Sequence, residues 1–209
     1  MDDPIQKHYD PTQMEITLRW EDQAPRECYV RGAICWPRET RTPDGDEDYQ
    51  GYALLAIQDV DSKIITIVRE RPFTVIDNIM KPGTNVIDHE GLSGWLTDIW
   101  GAYYAHRFFW YDNDEIARQY TIQIMRSGSI NPKPELIKVP WPSDEEAEAN
   151  VLKHIRMKDL VMERHGEWDL FKQIKTSRTY DKDVFPAVHA LQALLMGYDR
   201  FPYRRRNVH

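Results

Sequence analysis

The side chains best suited to chemistry are carboxylates, grouped at three places along the chain: Asp44, Asp46, Glu47 and Asp48; Asp112 and Asp114 around Asn113; and Asp181 with Asp183. The first two groups follow apolar runs, CYVRGAICW and FFWY, and the third precedes one, VFPAVHALQALL. Carboxylates brought together by a fold hold two Mg²⁺ or Mn²⁺ ions ~4 Å apart, one activating water and the other stabilising the leaving oxygen of a phosphodiester. Distance along the sequence does not matter to such a site, provided a sheet gathers the strand ends.

Other chemistries lack their residues. There is no G-x-x-x-x-G-K-[ST], so an NTPase motor is not expected within this chain, and no G-x-G-x-x-G, H-E-x-x-H or G-x-S-x-G. His8, His89, His106, His154, His165, His189 and His209 are scattered without ligand spacing. Cys28 and Cys35 fall on one predicted strand, which makes neither a disulfide framework nor a zinc finger, and both read as small apolar residues. A net charge of -7 neither supports nor excludes DNA, because an acidic protein can be basic locally. Lys153 and Arg156, one turn apart on a predicted helix, suit DNA phosphate, with a solvated helix face as the alternative. Arg204, Arg205 and Arg206 beside Tyr203 suit a phosphate backbone, although a basic terminus is usually just solvated.

The elements that must position these groups are those of one domain, which 209 residues suffice to build. The expected organisation is an N-terminal arm over 1–25, with MEITLRW as a short edge strand, a domain over 26–198 and a basic tail over 199–209. A buried strand runs from Cys28 to Trp36 and ends at Pro37, and GYALLAIQ and KIITIVRE form a hairpin around DVDS. RPFTVIDNIMKPGTNVIDHE reads as a connector broken by Pro72, Pro82 and Gly83. Leu92, Trp95, Leu96, Ile99, Trp100 and Tyr103 fall on one helical face. A fourth strand in HRFFWY, a helix over 114–125 and a fifth strand in ELIKVPW follow. Ser143 and Glu146 make a capping box for a helix to about His165, with Gly166 beyond it. The last helix is expected to begin at Asp183, with Pro186 in its first turn and Val184, Val188, Leu191 and Leu195 on one face.

That order predicts an α/β fold: a ribonuclease H-like mixed sheet, with three antiparallel strands followed by alternating helices and strands. The start MDDPIQKHYD has no signal-peptide pattern, and no apolar run nears the ~20 residues that span a bilayer, so a cytoplasmic location, the host cytoplasm if the chain is viral, is expected.

Together with the strand order, three stretches carry a resemblance. The acid after FFWY in FFWYDN, the K-x-x-R of Lys153-His154-Ile155-Arg156, and TYDKDVFPAVHALQAL resemble the ribonuclease H-like nuclease domain of phage terminase large subunits, over roughly Cys28 to Gly197. The resemblance implies cleavage of double-stranded DNA during viral packaging, with Mg²⁺ or Mn²⁺ held by acids from the first strand, the end of the fourth and the start of the final helix. It makes Asp112 and Asp183 the metal ligands and catalytic residues.

The sequence departs from that family at three points. The first strand has Ala33-Ile34-Cys35-Trp36 where the family keeps an Asp. Lys182 and Pro186 replace two acids of the last motif, and the motor domain that normally precedes the nuclease is absent from this chain. Asp46 and Asp48 are the acids nearest in sequence to replace the absent ligand, although a solvated hairpin loop is the commoner role for DGDED. Asp183 also suits a helix N-cap, and Asp112 a turn. The expected function is therefore a metal-dependent DNA endonuclease or a catalytically degenerate relative in packaging, with a separately encoded ATPase motor or a portal-type protein as a partner. The alternative is a non-catalytic packaging or virion adaptor that binds protein or DNA.

Overall fold

The computed structural model describes residues 3–10, 15–41, 47–77, 85–87, 89–111, 115–126, 130, 132–140, 143–162, 170 and 186–201. Nine strands among them form β1 (Gln6–Asp10), β2 (Glu15–Arg19), β3 (Arg26–Arg41), β4 (Glu47–Asp59), β5 (Ile65–Asp77), β6 (Asn85–Ile87), β7 (Arg107–Tyr111), β8 (Glu135–Val139) and β9 (Leu160–Met162). The longer described helices are α1 (His89–Tyr103), α2 (Glu115–Arg126), α3 (Asp144–Met157) and α4 (Pro186–Arg200).

The long β3 organises the sheet. Alternate side chains point to opposite faces of a strand, so Val30, Ile34 and Trp36 enter one core while Ala33 and Cys35 enter another. β4 pairs antiparallel with β3, and β5 with β4. On the other side of β3, β7 runs parallel through Gly32↔Phe108 and Ala33↔Phe109, and β8 runs parallel to β7. Gly32 makes that approach possible: a Cβ there would lie 2.2 Å from Phe108 Cε1 and 2.7 Å from the Leu54 carbonyl oxygen. The parallel partners need crossovers, and α1 and α2 supply them.

Both faces of the sheet are covered. Leu92, Leu96, Ile99 and Tyr103 of α1 and Ile124 of α2 pack on the Val30, Ile34, Leu55 and Phe108 side. Ala187, Ala190, Leu191, Leu194 and Leu195 of α4, with Val151 of α3, cover the Ala33, Tyr52, Leu54 and Phe109 side. The result is a mixed, mostly antiparallel sheet between two helical layers, an α/β fold. Among the described residues no helix is long and apolar enough to cross a membrane.

Four details differ from expectation. β3 does not end at Pro37 but continues to Arg41, with a register shift between Cys35 and Arg38; a bulge accommodates a residue that has no N–H to donate. β5 likewise passes through Pro72, which stands between the stretches paired with β9 at 65–67 and with β6 at 75–77. The first 25 residues contribute β1 and β2, and β2 is internal, lying between β1 and β3. Finally, α3 has the expected cap, Ser143 Oγ accepting from the Glu146 N–H at 3.2 Å, but stops at Met157. Lys158 takes the left-handed conformation at φ 58° and its N–H bonds the Ile155 carbonyl, which closes the helix.

Candidate functional site

Where β3 and β7 run side by side, one row of the sheet reads Phe109, Ala33, Leu54, Glu70 across β7, β3, β4 and β5. Two residues further along come Tyr111 on β7 and Cys35 on β3, opposite Tyr52 on β4. Ala33, Cys35, Tyr52 and Tyr111 are all buried against the α4 layer. Burial drives the Tyr111 hydroxyl pKa well above its ordinary value, only partly offset by Arg200, so it is a neutral group here.

Asp112 is the next residue in sequence after β7, and Asp183 precedes α4 by three positions; both lie outside the described residues, as do Asp46, Asp181 and Arg204–Arg206. Asp48 belongs to β4 and pairs with Thr40, five residues beyond Cys35 on β3, or about 16 Å of extended chain. Of the groups proposed to meet phosphate, Lys153 donates to Asp199 Oδ2 at 2.7 Å, and Arg156, on the same helix, is exposed. Among the described residues no three His, Cys, Asp or Glu side chains come together as a metal site. From Ala33 to Trp36, β3 offers only buried apolar groups, and these four residues do not by themselves fit a divalent metal.

Glu70 is the functional-type side chain that sequence patterning did not single out. It sits on the α4-facing side of β5, where its Oε2 accepts from the Tyr52 hydroxyl at 2.5 Å and from the Leu170 N–H at 3.2 Å. Its signal in the sequence was weak, because an acid closing the run KIITIVRE reads as a strand end. β5 stands three strands from β7, about 14 Å at ordinary spacing, against the ~4 Å between paired catalytic metals. Glu70 therefore supports this face, tying Leu170 to the sheet, and does not replace an acid on β3.

At the other end of this face Arg31 is 9% exposed, with its guanidinium 5.3 Å from the Tyr198 ring centroid and 5.8 Å from that of Phe109. It donates to the Phe201 carbonyl at 2.7 Å, just past the C-terminus of α4. A cation there meets the negative end of the helix dipole and the orphan carbonyls of the last turn. With this end anchored over β3, the ~22 Å length of a 15-residue helix extends from Arg31 across the sheet.

No protein-family model matches the chain, and no curated protein matches it. Among solved structures, the nuclease domain of the P22 large terminase is similar, with a TM-score of 0.45 and 13% sequence identity over 87% of this chain and 85% of that one.

Proposed function

We propose that this chain is a ribonuclease H-like module of the terminase-nuclease type, a DNA endonuclease or a catalytically degenerate relative, working in viral DNA packaging. The pairing of β3 is the observation that supports this reading most: β4 and β5 follow it antiparallel on one side, β7 and β8 lie parallel on the other, and helices cover both faces. Counted from β3, β7 is the fourth strand in sequence of that five-stranded unit, and Asp112 follows it. On this reading Asp112 and Asp183 hold Mg²⁺ or Mn²⁺, Asp46 and Asp48 are the loop acids available to them, and Lys153 and Arg156 meet the phosphates of double-stranded DNA. An ATPase motor or a portal-type protein is the kind of partner this reading calls for.

The test is incubation of the protein with supercoiled plasmid and Mn²⁺ beside Asp112→Ala and Asp183→Ala. Cleavage by the parent, lost in both variants, is expected. No cleavage by the parent, or equal cleavage by all three, sinks the endonuclease reading.

The buried apolar stretch Ala33-Ile34-Cys35-Trp36 favours a second reading, a non-catalytic packaging adaptor on the same sheet. It predicts that the parent leaves the plasmid intact yet retards it, or retains a motor subunit in a pull-down.

A further inference from the structure

On the sheet face opposite to Cys35 and Tyr111, a cleft of about 80 Å³ opens between two turns, the one joining β2 to β3 and the one joining β4 to β5. Strand register assembles it, with Cys28 facing Asp59 across β3 and β4 and Ile57 facing Thr66 across β4 and β5. Trp20, Cys28 and Ile57 form a buried apolar floor, none of them more than 5% exposed. Ile64, which is 36% exposed, and the exposed Arg26 stand at the mouth with Asp59.

The two charges at the mouth are held in place by the protein. The Arg26 guanidinium lies 5.6 Å from the Trp20 ring centroid and donates to the Gln23 side-chain oxygen, and among the described residues it forms no ion pair. Asp59 Oδ1 accepts from the Asp61 N–H at 3.0 Å, the Ser62 N–H at 2.7 Å and the Ser62 hydroxyl at 3.0 Å. Groups ordered in advance spare a ligand that cost on binding.

These features select a chemistry. At the ~10–15 Å³ that one water needs, the cleft holds several waters or one branched aliphatic side chain. Arg26 calls for a carboxylate, which its planar fork can take bidentately, and Asp59 calls for an N–H. An apolar side chain, a carboxylate and an N–H on one carbon are the substituents of a C-terminal amino-acid residue. A phosphate alone would leave the floor unfilled, and a hydrocarbon alone would leave Arg26 unanswered.

We propose that this cleft captures the C-terminus of a partner protein whose last residue is leucine, isoleucine or valine. The side chain fills the floor over Trp20, Cys28 and Ile57, the terminal carboxylate pairs with Arg26, and the last peptide N–H meets Asp59. Binding here leaves the Cys35 and Tyr111 face of the sheet untouched, so the proposal stands whether or not the chain cleaves DNA.

An NMR titration of the full chain with acetyl-Gly-Gly-Leu tests this, read at the Trp20 indole N–H and the Ser62 and Thr66 amides. These signals are expected to shift together and saturate. The C-terminal amide of the same peptide, and acetyl-Gly-Gly-Gly, should each bind roughly tenfold more weakly. Arg26→Gln, a change at an exposed side chain, should abolish the preference for acid over amide. Equal binding of acid and amide by the parent, a preference that survives in Arg26→Gln, or no saturable shift at millimolar peptide overturns the proposal. Free leucine binding more tightly than the peptide also overturns it, because the cleft would then be a site for a small amino acid.

Discussion

Gly197 on α4 lies against the ring of Phe109 on β7 so closely that an added Cβ would come within 2.2 Å of Cδ2 and 2.3 Å of Cγ. Phe109 is fully buried and its ring also stacks on Phe201, with centroids 5.9 Å apart and planes 13° from parallel. It has nowhere to retreat. Gly197→Ala is therefore expected to destabilise the protein by about 1–3 kcal/mol through overpacking, although alanine is the better helix former by ~1 kcal/mol. A lowered urea midpoint checks this, and a midpoint at or above that of the parent contradicts the tight contact.

Arg31 has a different role on the same helix end. Burial lowers its pKa, yet an arginine stays charged at any physiological pH, so a cation is held among Tyr29, Phe109 and Tyr198. Arg31→Met removes the donor to Phe201 and the cation over the rings, with an expected loss of about 2–3 kcal/mol. Arg31→Lys, lacking the planar fork, recovers only part of it. Thermal unfolding of the three proteins at one pH gives the order parent, lysine, methionine.

Buried acids that titrate at alkaline pH give a further expectation. The Cys28 thiol is pushed up to about 12 from an ordinary value of 9, first by burial and then by Asp59. Tyr111 and Tyr198 move in the same direction, also through burial. A folded-state pKa above the unfolded one means that the unfolded chain releases its proton first, so stability is complete below pH 9 and falls as pH rises toward 12. The slope for one such group is at most about 1.4 kcal/mol per pH unit. Cys28→Ala is expected to flatten the stability profile over this window. Native Cys28 should also resist thiol reagents at pH 8 until the protein unfolds.

How much of this was legible in advance depends on the range of the interactions. The face Leu92, Leu96, Ile99, Tyr103 was visible because large apolar residues at helical spacing declare which side is buried. The three consecutive antiparallel strands and the helix crossing between β7 and β8 followed from the order of elements, whereas the parallel pairing of β7 with β3 did not. Pro37 and Pro72 misled because whether a proline ends a strand depends on what lies at that edge, which is a property of the partner strand. β1, with the polar sequence QKHYD, carries no alternation that would mark it as a strand. The candidate acids could be named as residue types, but the pairing of Lys153 with Asp199, 46 positions away, could not. Nor could the place of Glu70, because only the register puts it on the α4-facing side beside Tyr52.

The two ends of α3 make a matched pair of capping tests. Ser143→Ala removes the acceptor for the Glu146 N–H and is expected to cost about 1 kcal/mol. Lys158→Gly relieves a side chain at φ 58° and is expected to stabilise by ~0.5–1 kcal/mol. Opposite shifts in the urea midpoint confirm both caps; shifts of one sign mean that the helix ends elsewhere.

If α3 presents charge to DNA, its two cations should not contribute equally. Arg156 is exposed, whereas Lys153 is already neutralised by Asp199 and must leave that carboxylate to reach a phosphate. Arg156→Ala is therefore expected to weaken binding to a plasmid fragment more than Lys153→Ala, and to lower the slope of log affinity against log salt by ~0.9, the value for one lost phosphate contact. Asp199→Asn should strengthen binding at low salt, because it takes away the acid that competes for Lys153. Titrations at several salt concentrations measure all three. Equal losses from both alanine variants, or weaker binding by Asp199→Asn, would mean that this helix face is only solvated and that DNA, if bound, meets another surface.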